Sequence, residues 1–320
     1  MSMYSELYPK AERIFSYLPD RSRTLVLEYL NHLIHRQLSP NTITSAIYNL
    51  DHFFQYLTEE KWEDISQVCK QDVRVFAEML SARKLSASGI NGHLRTLRGF
   101  FVYLVDEDYC AKNPVLHRYY VEEERRLPRP MRETDLRIFV AHLNTPRDRA
   151  VFLLMLRTGL RIGEVSRLQL SDIHWPHKNL IVYNGKGKVD RVAYFSQDAE
   201  QALEVWLQTR GYLSAYCFAS SRKRDRPVNP QNIRRWMIKI LAQCGLEGKG
   251  YTPHTLRHTF ATTMLNAGMD LTVLRDLMGH KNSNMTLLYA QLSNQTIRSS
   301  YDRAIRQVEG ETALLKEVSG

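Results

Sequence analysis

The stretch Thr252-Pro253-His254-Thr255-Leu256-Arg257-His258 decides how this chain of 320 residues is read. Thr252 suits an N-cap and Pro253 the first helical position, so His254 falls in the opening turn of a helix. Free backbone N–H groups and the helix dipole favour an anion there. Arg257 follows three residues later on the same face. A guanidinium is always charged and its donor fork matches a phosphate. The rival is a metal pair, because His254 and His258 stand at i, i+4, but no adjacent Glu and no evident third ligand completes a zinc site.

Outward from this stretch, three others carry compatible chemistry. In Thr158-Gly159-Leu160-Arg161 the glycine breaks an apolar helix, and a new one begins whose inner face is Ile162, Val165 and Leu168. In Leu277-Met278-Gly279-His280 the glycine suits a left-handed cap on a helix over 271–278. A loop over 281–284 then leads to a helix presenting Tyr289, nine residues beyond His280. Gly185-Lys186-Gly187 lies at the tip of a hairpin between the β-type runs 180–183 and 189–195. Arg161, Lys186, His254, Arg257, His280 and Tyr289 thus supply one phenol, two guanidiniums, one amine and two imidazoles. That set suits cleavage of a phosphodiester by a protein nucleophile. No carboxylate cluster that could hold magnesium accompanies it and no phosphate loop is present, so neither metal nor nucleotide cofactor is expected.

These motifs resemble the tyrosine recombinases, also called the phage integrase family. Leu38-Ser39-Pro40-Asn41-Thr42 and Leu97-Arg98-Gly99-Phe100-Phe101-Val102-Tyr103-Leu104 look like that family's N-terminal DNA-clamping domain, so the resemblance covers nearly the whole chain. Met285 and Gln291 depart from it, where a hydroxyl residue and a His are frequent. The resemblance implies that Tyr289 attacks DNA to give a 3′-phosphotyrosine and a free 5′-hydroxyl. Arg161 and Arg257 would hold the non-bridging oxygens, Glu164 would orient Arg161, and Lys186 rather than Lys188 would protonate the departing 5′-oxygen. It further implies a homotetramer on duplex DNA with inverted-repeat core sites, a four-way junction, and possible accessory DNA-bending or directionality proteins. Two rivals stay open: a type IB-like topoisomerase and a catalytically silent, site-specific DNA-binding protein.

Charge points the same way. Net charge is +10, and residues 1–130 hold 17 basic and 17 acidic side chains, so the whole excess lies in 131–320. A polyanion is the expected partner of that half. Cys69, Cys110, Cys217 and Cys244 lie far apart without metal-ligand spacing and read as single thiols of a reducing compartment. No run approaches a membrane span and no signal-peptide core is present, so a cytoplasmic, nucleoid-associated protein is expected.

The expected fold is mainly α with a small β-hairpin, an α+β class in two domains. Residues 1–20 read as an N-terminal arm, 21–120 as a four-helix DNA-clamp bundle, 121–131 as a charged, proline-ended linker and 132–320 as the catalytic domain. Ile43, Ile47, Leu50, Phe54 and Leu57 form one buried stripe of the bundle, and Ile90, Leu94, Leu97, Phe101 and Leu104 another. Asn91, Arg95 and Arg98 share a further strip and, with Arg222 and Arg234, are candidate DNA contacts. From about 292 to 320, Ile297, Tyr301, Ile305 and Val308 mark an amphipathic tail, which the resemblance assigns to exchange between protomers.

Overall fold

The computed structural model describes residues 7–60, 62, 64–123, 129–183 and 190–279. Lys186, Lys188, His280, Tyr289 and the tail lie outside the described residues. Two compact units divide the chain, residues 1–125 and 126–320.

The first unit holds α1 (Leu7–Ile14), α2 (Asp20–His35), α3 (Pro40–Glu59), α4 (Lys70–Ala82) and α5 (Ala87–Asp106). The Ser39 hydroxyl accepts the Thr42 N–H at 3.1 Å and the Ser86 hydroxyl the Gly89 N–H at 3.2 Å, which fixes where α3 and α5 begin. The two stripes expected on α3 and α5 are buried in one core, where α4 adds Phe76 with its ring 5.0 Å from that of Phe53. The described part of the expected arm, from residue 7 to 20, is not separate from the bundle. Leu7, Ala11, Phe15 and Leu18 recur at spacings of four, four and three, and all enter the same core. Helix α4 starts at Lys70, because the Asp72 carboxylate accepts the Cys69 N–H at 2.7 Å as an N3 cap.

The second unit runs α6 (Glu133–Ala141), α7 (Pro146–Thr158), α8 (Ile162–Arg167), β1 (Ile173–His174), β2 (Asn179–Val182), β3 (Arg191–Tyr194), α9 (Gln197–Thr209), α10 (Pro230–Gln243), α11 (Pro253–Asn266) and α12 (Leu271–Met278). Helix α7 is buried almost all round, from Ala150 to Leu156, and packs against α9 and α11. A helix apolar on every face belongs at the centre of its domain. The hairpin pairs antiparallel with Leu180 opposite Ala193 and Val182 opposite Arg191. Strand β1, too short to leave a periodic signal, extends the sheet with Ile173 opposite Leu180. Helices α11 and α12 share a small apolar cluster of Phe260, Ala261, Leu265, Leu274 and Met278. Among the described residues no helix is long and apolar enough to cross a membrane.

Candidate functional site

Helix α12 stops at Gly279, whose φ of +60° is the left-handed cap conformation. The last carbonyls of a helix have no partner within it and form the negative end of its dipole. Here three consecutive carbonyls accept from three arginines on separate elements. Arg191 Nε, on β3, donates to Leu277 O at 2.8 Å. Arg257 Nη2, on α11, donates to Met278 O at 2.5 Å. Arg161 Nη2, from the N-cap position of α8, reaches Gly279 O at 3.4 Å. Arg257, only 4% exposed, also donates through Nη1 to the carbonyl of Gly159, the left-handed cap of α7. Its guanidinium therefore ties together the C-terminal ends of two helices.

Glu164 binds two of these arginines. Its side chain is 6% exposed and accepts from the Arg161 backbone N–H at 2.8 Å and Arg161 Nη1 at 2.9 Å. Arg191 Nη1 and Nη2 complete the set at 3.0 and 2.7 Å, one to each carboxylate oxygen. Burial alone pushes the Glu164 pKa up, but the hydrogen bonds and charge of Arg191, with the backbone N–H and charge of Arg161, outweigh it and hold the pKa at about 2. Glu164 is thus a fixed anion.

Helix α11 starts at Pro253, with His254 in its first turn. Thr252 occupies the N-cap, but the capping bond runs through Thr255, whose hydroxyl accepts the Thr252 N–H at 3.0 Å. The segment ahead is held by buried Asp135, which accepts from Lys249 Nζ at 2.9 Å and from the Tyr251 hydroxyl at 2.7 Å. Burial, then the Arg257 and Arg161 charges, lower the pKa of His254. Burial, then His254 and Arg257, bring His258 down to about 4. Both imidazoles are therefore neutral near pH 7, and His254 can accept a proton or a hydrogen bond beside two guanidiniums.

Arg161, Glu164, His254 and Arg257 are thus brought to one place. Arg191 was not among the residues singled out by sequence. Apolar alternation along the strand would instead put Val192 and Tyr194 inside, but in the structure Arg191 and Ala193 face inward while Val192 and Tyr194 face out. An inward arginine at a strand start needs a buried acid. Among the candidate DNA contacts, Asn91 is corrected. It is 4% exposed, and its amide donates to Val121 O and Glu123 Oε1, both at 2.8 Å, and accepts the Val121 N–H at 2.9 Å. Asn91 fastens the start of the expected linker to α5 and has no amide proton left for DNA. Arg95, Arg98, Arg222 and Arg234 are exposed, Arg98 also donating to Val115 O at 3.1 Å.

Comparison with known proteins gives this arrangement its context. The family model described as "Phage integrase family" matches residues 129–296, and that of the "Phage integrase, N-terminal SAM-like domain" matches 26–108. Tyrosine recombinase XerC of Oceanobacillus iheyensis is 31% identical over 297 residues, 89% of this chain and 95% of that protein. XerC of Anoxybacillus flavithermus is 30% identical over 288 residues, 87% of this chain and 95% of its own. A solved XerH site-specific recombinase, bound to a palindromic difH substrate in a post-cleavage complex, shares the fold. Its TM-score is 0.67 at 18% identity, over 93% of this chain and 94% of that one. With its two domains both matched and relatives aligned along most of its length, the chain belongs to the phage integrase family, the tyrosine recombinases.

Proposed function

We propose that this enzyme is a site-specific DNA recombinase that cleaves and rejoins duplex DNA through Tyr289. One observation carries the reading: Arg161, Arg257 and His254 converge at the end of α12, directly before His280 in the chain. Two guanidiniums held by backbone carbonyls are preorganised charge, which stabilises the transition state of phosphoryl transfer without reorganising. The Tyr289 oxygen attacks the scissile phosphorus as its phenol proton passes to a base, a role open to the neutral His254, and the bond to the 5′-oxygen breaks. Lys186 gives that oxygen a proton, leaving a 3′-phosphotyrosine and a 5′-hydroxyl. Rejoining reverses the step on a new strand. The two-domain match favours recombination over a type IB-like topoisomerase, and a mere DNA-binding protein needs no preorganised pair of arginines beside a neutral histidine. Four protomers would act on paired inverted-repeat sites, with the tail from about 292 exchanged between them.

The test is a nicked suicide duplex carrying the recombination site. Wild type should form a covalent protein–DNA band, and Tyr289→Phe should lose it while binding the duplex with unchanged affinity. A band that persists in Tyr289→Phe moves the nucleophile elsewhere.

A further inference from the structure

We infer that Arg191 is a positioning residue that occupies Glu164 and so leaves the charge of the Arg161 guanidinium uncompensated and available to the scissile phosphate. The inference rests on the phosphotyrosyl reading above. It starts from an inequality between two arginines on one carboxylate. The Arg191 side chain is 6% exposed, and its donors go to both Glu164 oxygens and to Leu277 O. The Arg161 side chain is 38% exposed and spends one guanidinium donor on Glu164, with a second on Gly279 O at the limit of hydrogen bonding. A guanidinium has five donors. Among the described residues the other three of Arg161 have no partner.

Charge gives the same division. Glu164 is a buried anion, with its pKa held at about 2. Beside Arg161 alone it would form a neutral pair, with little charge left over for a phosphate. With Arg191 present the three groups sum to one positive charge, and Arg191 is sunk where no substrate reaches it. The surplus therefore falls to Arg161. Charges in such a half-buried site act on one another more strongly than in water. Lysine at 191 would keep the charge but not the fork that grips both carboxylate oxygens and a carbonyl at once.

The roles of Arg191 as charge donor and as structural pin make opposite predictions. The measurement is the single-turnover rate of covalent adduct formation by the full chain on the nicked duplex, with Tm and DNA affinity recorded for each variant. Arg191→Met should slow cleavage by roughly 100-fold or more, the usual loss when preorganised charge is taken from a transition state. Adding Glu164→Gln should speed Arg191→Met up again, because the amide no longer neutralises Arg161. Arg191→Lys should fall between Arg191→Met and wild type. A double variant no faster than Arg191→Met, or Arg191→Met at the wild-type rate, overturns the inference.

If Arg191→Met shows no melting transition, Arg191→Lys decides alone on a duplex with a neutral methylphosphonate at the cleavage position. Its deficit relative to wild type should shrink there, since less positive charge is required; an unchanged deficit overturns the proposal. Failure of wild type itself to form a Tyr289-dependent adduct would instead refute the proposed function.

Discussion

At the scale of single residues, the two arginines of the proposed phosphate clamp differ in what else they do. Arg257 is buried and joins Gly159 O to Met278 O, whereas Arg161 is part-exposed at the head of α8. Arg257→Ala should therefore lower both Tm and cleavage, leaving two buried carbonyls without a donor. Arg161→Ala should lower cleavage by roughly 100- to 1,000-fold with a much smaller change in Tm. Thermal melts beside single-turnover assays separate the two, and equal Tm losses would contradict the division. The histidines set a pH dependence of stability. His258 titrates near 4 in the folded chain against an ordinary value of 6.5, so between those values the unfolded state binds more protons. Stability should fall as pH drops through that window, and His258→Gln should flatten Tm against pH there. Glu164 acts lower. Its depressed pKa gives stability that is present above 4.5 and lost as pH falls towards about 2, so His258→Gln should leave that lower limb in place. A variant with the wild-type slope between pH 6.5 and 4 would show that His258 is not the group responsible.

At the scale of elements, the site depends on how helices end. Gly159 has φ of +65° and Gly245 has φ of +66°, but their surroundings differ. A Cβ at 159 would overlap the Phe260 ring, 2.8 Å from Cε1 and nearer still to Cδ1, whereas at 245 it would meet nothing within 4 Å. Gly245→Ala should cost about 1 kcal/mol, the penalty for a left-handed side chain. Gly159→Ala should cost at least about twice that, because it also pushes on α11, which carries Arg257. Chemical denaturation of both variants checks this, and equal losses would refute the steric argument. The same elements show how far the sequence could be read. Stripes on α3 and α5 and the glycines at 159 and 279 were legible because each is a local rule. Strand β1 is not legible, having two residues, and α1, eight residues long, shows its helical apolar spacing only when carried on to Phe15 and Leu18. Arg191 and the engagement of Asn91 were hidden for another reason. Each is defined by partners distant in sequence, Glu164 and Leu277 for the one and Val121 for the other.

At the scale of the whole molecule, the surplus charge of residues 131–320 should appear as salt dependence of DNA binding. Arg222 and Arg234 are exposed on that unit. If each meets a phosphate, Arg222→Ala with Arg234→Ala should reduce the slope of log affinity against log salt by about 2, since each phosphate no longer neutralised lowers it by roughly 0.9. Binding titrations at several salt concentrations measure it, and an unchanged slope would place both arginines away from the DNA backbone. The site itself rests on a different kind of partner. Leu277, Met278 and Gly279 offer main-chain oxygens, which every residue type possesses. Substitution at 277 can therefore preserve its acceptor, and at 278 it need only preserve apolar packing. The three arginines have no such latitude, because no change in their partners can complement the loss of a donor. Second-site suppressors of an Arg257 variant should accordingly be absent from residues 277–279. The freedom to vary at this junction lies wholly on the accepting side.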